Sequence, residues 1–139
     1  FNFGREGVLK VDGGECTITL PTGIKIRYDD LSYTETPDGI EYHYQTRRGR
    51  NKIYGGKVIE NVCQSLARCI IAEQMLLVSK RYKVAFTVHD SVIACVPETE
   101  VLEAQQYVEE CMNYVPDWAE GMPLTCESGY ARAYGDCEE

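Results

Sequence analysis

The chain has 139 residues, 44% of them hydrophobic and 26% charged, which supports a globular core without disulfides and argues against disorder. No run approaches the ~18 uncharged apolar residues of a membrane span, and no charged-then-apolar leader opens the chain. A net charge of −8 argues against a general polyanion binder, yet residues 44–59 carry Arg47, Arg48, Arg50, Lys52 and Lys57 with no acid. That segment is +5, leaving −13 for the rest, so it is either a solvated basic loop or a basic edge for nucleic acid on an acidic body.

The first third reads as strands and turns. Residues 15–20 and 23–28 alternate with period two, and Pro21-Thr22-Gly23 between them has hairpin-turn chemistry. A third run, 39–44, follows the turn signal Pro37-Asp38-Gly39, and Gly55-Gly56 then marks a change of period. From Lys57 to Arg81 the spacing predicts a helix with Ile59, Val62, Cys63, Leu66, Ile70 and Leu77 on its core face. At about 100° per residue, Lys57, Glu60, Gln64 and Arg68 fall within about 60° of one another on the opposite side. Taken alone, that ladder is what a solvated helix face looks like.

Two short β-branched runs, 84–88 and 92–96, are separated only by His89-Asp90-Ser91, which predicts a tight hairpin of two buried strands with His89 and Asp90 at the apex. The Asp either caps the turn or is placed there for a task. After Pro97 a second amphipathic helix is predicted over 99–112, with Val101, Ala104, Val108, Cys111 and Met112 inward and Glu103, Glu109 and Glu110 outward. A last strand is expected near 124–128, before an acidic end. From Glu98 onward there are eleven acids and one base, Arg132. The seven cysteines are odd in number and contain no Cys-x-x-Cys pair, and Cys63, Cys95 and Cys111 lie in apolar runs. A reducing, cytosolic setting fits this pattern, and with only His43 and His89 a structural zinc site is not expected. The element order predicts an α+β fold, an antiparallel sheet with helices packed on one face.

This order resembles the C-terminal palm of family A DNA polymerases, most closely the phage-type branch of the polymerase I relatives. That branch has a Leu-Pro-Ser-Gly turn, then Tyr-Gly-Gly-Lys, Glu-Asn, Gln and Ala-Arg. The corresponding pieces here are Leu20-Pro21-Thr22-Gly23, Tyr54-Gly55-Gly56-Lys57, Glu60-Asn61, Gln64 and Ala67-Arg68. Residues 116–124 also look like that branch, so the resemblance runs from about Leu20 to Tyr134. It implies a palm-like fragment over 1–139, with a β-rich, basic-ended part (1–55), a helix–hairpin–helix core (56–115) and a C-terminal loop and strand (116–139).

The resemblance also implies roles. The Val88-His89-Asp90 hairpin would be motif C, with Asp90 one of two carboxylates that hold catalytic Mg²⁺ (or Mn²⁺), and His89 beside the primer terminus. Lys57, Glu60, Gln64 and Arg68 would face the primer-template duplex, where long polar groups read minor-groove acceptors common to all base pairs, with Arg47, Arg48, Arg50 and Lys52 as further DNA contacts. The implied partners are primer-template DNA and dNTP, with no membrane, and the implied setting is the cytoplasm of a bacterium or phage-infected host.

Three positions depart from the family pattern. Ser91 stands where motif C usually has a second acid, Glu60 stands where the wider family has Asn, and Cys69 stands where the phage branch tends to have an acid. The second metal-binding Asp and the nucleotide-gripping helix belong to upstream motifs not found in these residues. The chain is therefore expected to lack the N-terminal palm, fingers and thumb and to be inactive alone. Rival readings are a non-catalytic α+β interaction module, a small metal-dependent nuclease using Asp90 and Glu60, and a Ser-His-Asp hydrolase. The last lacks a Gly-x-Ser-x-Gly elbow.

Overall fold

The computed structural model describes residues 2–3 and 8–137, which fold as two compact units, 1–66 and 67–139. The class is mixed α+β, as expected. The strands, however, are divided among three separate antiparallel sheets rather than gathered into one, and the boundary between the two units falls inside a helix.

The first unit begins with strands β1 (Asn2–Phe3), β2 (Leu9–Asp12), β3 (Thr17–Thr19) and β4 (Lys25–Arg27), hydrogen-bonded in that order. The register stacks Val11, Ile18 and Ile26 across the sheet. Between β2 and β3 the Asp12 carboxylate accepts the N–H groups of Gly14 (2.9 Å) and Glu15 (3.1 Å), an Asx-type turn. Those two backbone donors hold the Asp12 carboxyl below its ordinary value. The Leu20–Gly23 turn closes with Gly23 N–H on the Leu20 carbonyl at 2.9 Å and uses a positive φ of 83° at Gly23.

A three-stranded sheet follows, made of β5 (Ser32–Thr36), β6 (Gly39–Thr46) and β7 (Gly49–Ile53). Its two hairpins use one device twice. Thr36-Pro-Asp-Gly39 and Thr46-Arg-Arg-Gly49 each pair a threonine with a glycine across a two-residue turn, and in each the threonine hydroxyl donates to the glycine carbonyl at 2.8 Å. Only glycine takes φ values of 125° and 128° without strain. Leu9, Thr17, Ile18, Leu20, Tyr28 and Ile53 are the buried residues of this unit among those described.

Helix α1 (Gly55–Val78) is a continuous 24-residue helix crossing the unit boundary. It ends three residues short of the predicted Arg81, because Ser79 Oγ donates to the Leu76 carbonyl and the backbone tightens over 79–82. Its buried residues are Cys69, Ile70, Gln74 and Val78, whereas Ile59 (65% exposed) and Cys63 lie outside the core expected for them. In the second unit β8 (Lys83–Val88) and β9 (Ser91–Cys95) form a two-stranded sheet, followed by a 3-10 turn (Glu98–Glu100) and α2 (Val101–Met112). The expectation of two buried strands fails here: no residue of β8 or β9 is buried, and among the described residues no third strand joins this pair.

The strand expected at 124–128 is also absent. That segment is tied to α2 by side chains instead of a ladder. Gln105 Nε2 donates to the Ser128 carbonyl (3.3 Å) and Oγ (2.8 Å), Ser128 Oγ donates to Glu109 at 2.5 Å, and Cys126 Sγ points at the Glu109 carbonyl. Glu109, expected on a solvated face, is therefore engaged. Burial beside Glu109 raises the Cys126 thiol pKa. Gln74, 2% exposed, donates to the carbonyls of Met112 (2.6 Å) and Tyr114 (3.0 Å) at the C-terminal end of α2. Gln74→Ala strips both carbonyls of their partner and opens a cavity, so urea denaturation should show a loss of about 2–4 kcal/mol. A loss under about 0.5 kcal/mol would show that water satisfies those carbonyls equally well.

Candidate functional site

The hairpin between β8 and β9 is as tight as such a connection can be. Val88 pairs with Ser91, leaving His89 and Asp90 as the two turn residues. His89 has φ 52°, and Asp90 is not among the described residues with positive φ, a combination found in type II′ turns, whose first position favours glycine. His tolerates this region better than a branched residue, but still at a cost. A register shift between Val84 and Phe86 leaves Ala85 unpaired, a bulge that adds twist on the way to the apex. His89 and Asp90 are both exposed, and neither side chain has a partner among the described residues. Asp90 thus presents both carboxylate oxygens outward from a short, stiff turn. Ser91 begins β9 and is also exposed.

A free carboxylate suits a hard divalent cation, but one ligand does not make a site. Among the described residues no three His, Cys, Asp or Glu side chains come together as a metal-binding group. Asp90 and Glu60, the pair a nuclease would need, lie in different units.

The predicted DNA ladder is partly assembled. On α1, Glu60 accepts from Lys57 Nζ at 2.8 Å and from Gln64 Nε2 at 3.3 Å, so these three residues form one hydrogen-bonded row. The bond to Glu60 raises the Lys57 ammonium pKa. Asn61 does not join the row, because its Nδ2 donates to the Tyr28 hydroxyl at 3.1 Å. Arg68 is exposed on the same helix, past the unit boundary.

The basic segment is not a loop. Arg47 and Arg48 form the β6–β7 turn, while Arg50 and Lys52 lie on β7. Arg50 donates to Ser32 Oγ, and Lys52 Nζ contacts Glu41 Oε1 at 2.5 Å. Only Arg47 and Arg48 of this group keep side chains without a partner among the described residues.

Sequence reasoning missed the aromatic content of this sheet. Tyr33 pairs with Tyr42 across β5 and β6, with ring centroids 6.3 Å apart, and Tyr44 meets Tyr28 edge-on at 5.2 Å. The alternation Ser32-Tyr-Thr-Glu-Thr36, just before Pro37, was the signal for β5.

Two measurements check this geometry. His89→Gly relieves the left-handed backbone and should stabilise the fold by roughly 1 kcal/mol in chemical denaturation, where a relaxed turn would give a loss instead. Glu41 titrates below its ordinary 4.5 because Lys52 donates to it, so the pair's stabilisation is full above 4.5 and fades as the pH falls through the lowered value. An NMR titration of the Glu41 carboxyl should show this depression, and Lys52→Met should remove it.

Over 131 aligned residues, taking in 88% of this chain, the sequence is 30% identical to the DNA polymerase of Bacillus phage SP02. The chain spans about a fifth of that protein's length (20%). No protein-family model and no solved structure matches the chain. The resemblance to a DNA polymerase read from the motifs holds at that level, over most of the chain.

Proposed function

We propose that this chain is the C-terminal palm part of a family A DNA-directed DNA polymerase and contributes Asp90 as one of the carboxylates that hold catalytic Mg²⁺. The observation that carries this reading is the exposed, unpartnered Asp90 at the apex of the two-residue β8–β9 turn, in a chain similar to a phage DNA polymerase. A catalytic ligand must be held rigidly and left free of protein partners, and a strained hairpin tip meets both needs.

Among the described residues no three potential ligands gather into a metal site, so in this reading the remaining ligands would come from other parts of the polymerase. When bound there, the ions would stabilise charge on the primer 3′-oxygen and the departing pyrophosphate. The residues of this chain act around that chemistry. His89, adjoining Asp90 in the turn, positions the primer terminus. Lys57 and Gln64, cross-linked by Glu60, present one ammonium and one amide to the duplex without reading sequence. Ser91, lacking a carboxylate, leaves Asp90 as the sole acid at the tip.

In that polymerase Asp90→Asn should lower primer extension by about 10²-fold or more while leaving the fold intact, since Asn suits turns as well as Asp does. Extension within tenfold of wild type would remove Asp90 from the metal site. Gln64→Ala should weaken primer-template binding by a few-fold in a mobility-shift assay, with nucleotide incorporation at saturating DNA little changed. The isolated 139-residue chain should show no extension with Mg²⁺, and activity from it would overturn the reading that its metal site is incomplete.

A further inference from the structure

One face of the β5–β6–β7 sheet is only partly covered by its own unit: Ile53 is buried and Tyr44 packs on Tyr28, but Tyr33, Ile40 and Tyr42 stay open. Its register sets Tyr33, Tyr42 and Ile53 in one row, with Ile40 and Tyr44 on the same side. Arg50 and Lys52 alternate to the other side, where they are already engaged with Ser32 and Glu41. On the aromatic side Tyr33 is 63% exposed, Ile40 57% and Tyr42 46%. Beside Tyr42 an apolar cavity of about 140 Å³ runs between Leu31, Ile53, Tyr54 and Val58. Large rings at this exposure are costly unless they meet something flat and apolar.

The charge around this face favours one occupant. No acid lies between Glu41 and Glu60, and Arg47 and Arg48 project unpaired from the β6–β7 turn, about 16 Å from Tyr42 at ~3.3 Å per residue. An apolar protein surface would gain nothing from those two arginines, whereas a phosphate backbone would. A duplex hides its base faces, so exposed tyrosines can stack only on unpaired bases. Glu35, at the far end of the face from the arginines, further restricts phosphates to the Arg47–Arg48 end.

We infer that the tyrosine face of β5–β7 binds an unpaired nucleic-acid strand, with bases stacked on Tyr33 and Tyr42 and phosphates held by Arg47 and Arg48. This surface requires neither Asp90 nor a metal ion, so it stands or falls separately from the polymerase reading.

The test is a fluorescence anisotropy titration of a labelled oligothymidylate of about twelve nucleotides with the 139-residue chain at low salt. Saturable binding should weaken with salt at a logarithmic slope near −1.4, the value for about two phosphates on a single strand. Tyr33→Ala should weaken it about tenfold, Tyr33→Phe should retain it, and Arg47→Gln with Arg48→Gln should flatten the salt dependence. Tyr33 is mostly exposed, so circular dichroism of the variants should match wild type. The inference is overturned by absence of binding or by Tyr33→Ala binding as wild type does. Equal competition by a duplex for the Tyr33-dependent binding would also overturn it. So would a concentration-dependent dimer in sedimentation that Tyr33→Ala dissolves, because the face would then belong to a second copy of the chain.

Discussion

Gln74 sits where an amide costs stability unless it is bonded, and the end of α2 offers carbonyls that the helix itself cannot satisfy. Each deficit cancels the other. The consequence is a fixed register between the second half of α1 and α2, because a bond of 2.6 Å to one carbonyl and 3.0 Å to another tolerates little sliding. The Tyr107 hydroxyl reaches the Leu77 carbonyl at 2.9 Å, and Trp118 Nε1 reaches Glu73 at 2.8 Å, both consistent with that register. Tyr82, just beyond α1, stacks edge-on with Tyr107, and Arg81 lies over both rings while paired to Glu103. Strand β8 therefore leaves a well-defined point. The hairpin it opens inherits that definition although its own strands are only half-buried.

Within the hairpin, length is the governing constraint. Two residues must reverse the chain, so His89 accepts a left-handed backbone that glycine would take freely. A loop one or two residues longer would relieve the strain but would let the carboxylate wander. Keeping a short turn with a non-glycine first residue trades stability for position, the pattern expected where a side chain is used rather than buried. The bulge at Ala85 works in the same direction, twisting the strands where the ladder would otherwise run flat.

Much of this was legible in the sequence. The two helices, the Pro21–Gly23 turn and the His89–Asp90 apex follow from periodicity and turn chemistry that act locally. What was not legible depended on partners far away in the chain. Leu124–Ser128 has the alternation of a strand, but Gln105 and Glu109 offer side-chain bonds that replace a ladder. Ile59 and Cys63 have core spacing, yet burial needs a neighbour as well as a face, and spacing says nothing about the neighbour. The basic run from Arg47 to Lys52 looks like a loop because turn and strand residues there are equally charged. Only the Thr-x-x-Gly frame around Arg47-Arg48, shared with Thr36–Gly39, marks it as a hairpin.

Charge also has to be counted by unit and after pairing. Residues 1–66 hold nine Lys/Arg and nine Asp/Glu, whereas residues 67–139 hold five against thirteen, so the whole −8 belongs to the second unit. In the first unit Lys25, Lys52 and Lys57 are paired with Glu15, Glu41 and Glu60, and such exposed pairs project little field. Among the described residues Lys10, Arg27, Arg47, Arg48 and Arg50 then have no carboxylate partner, and of these only Arg47 and Arg48 are adjacent and lie in a turn rather than on a strand. In the second unit Arg81 and Arg132 are paired with Glu103 and Glu98, which leaves Arg68, Lys80 and Lys83 as the unit's cations without a carboxylate partner among the described residues. A unit with thirteen acids against five bases repels phosphates and attracts cations. On charge alone, a phosphate backbone is therefore repelled less by residues 1–66, which are neutral in sum, than by residues 67–139.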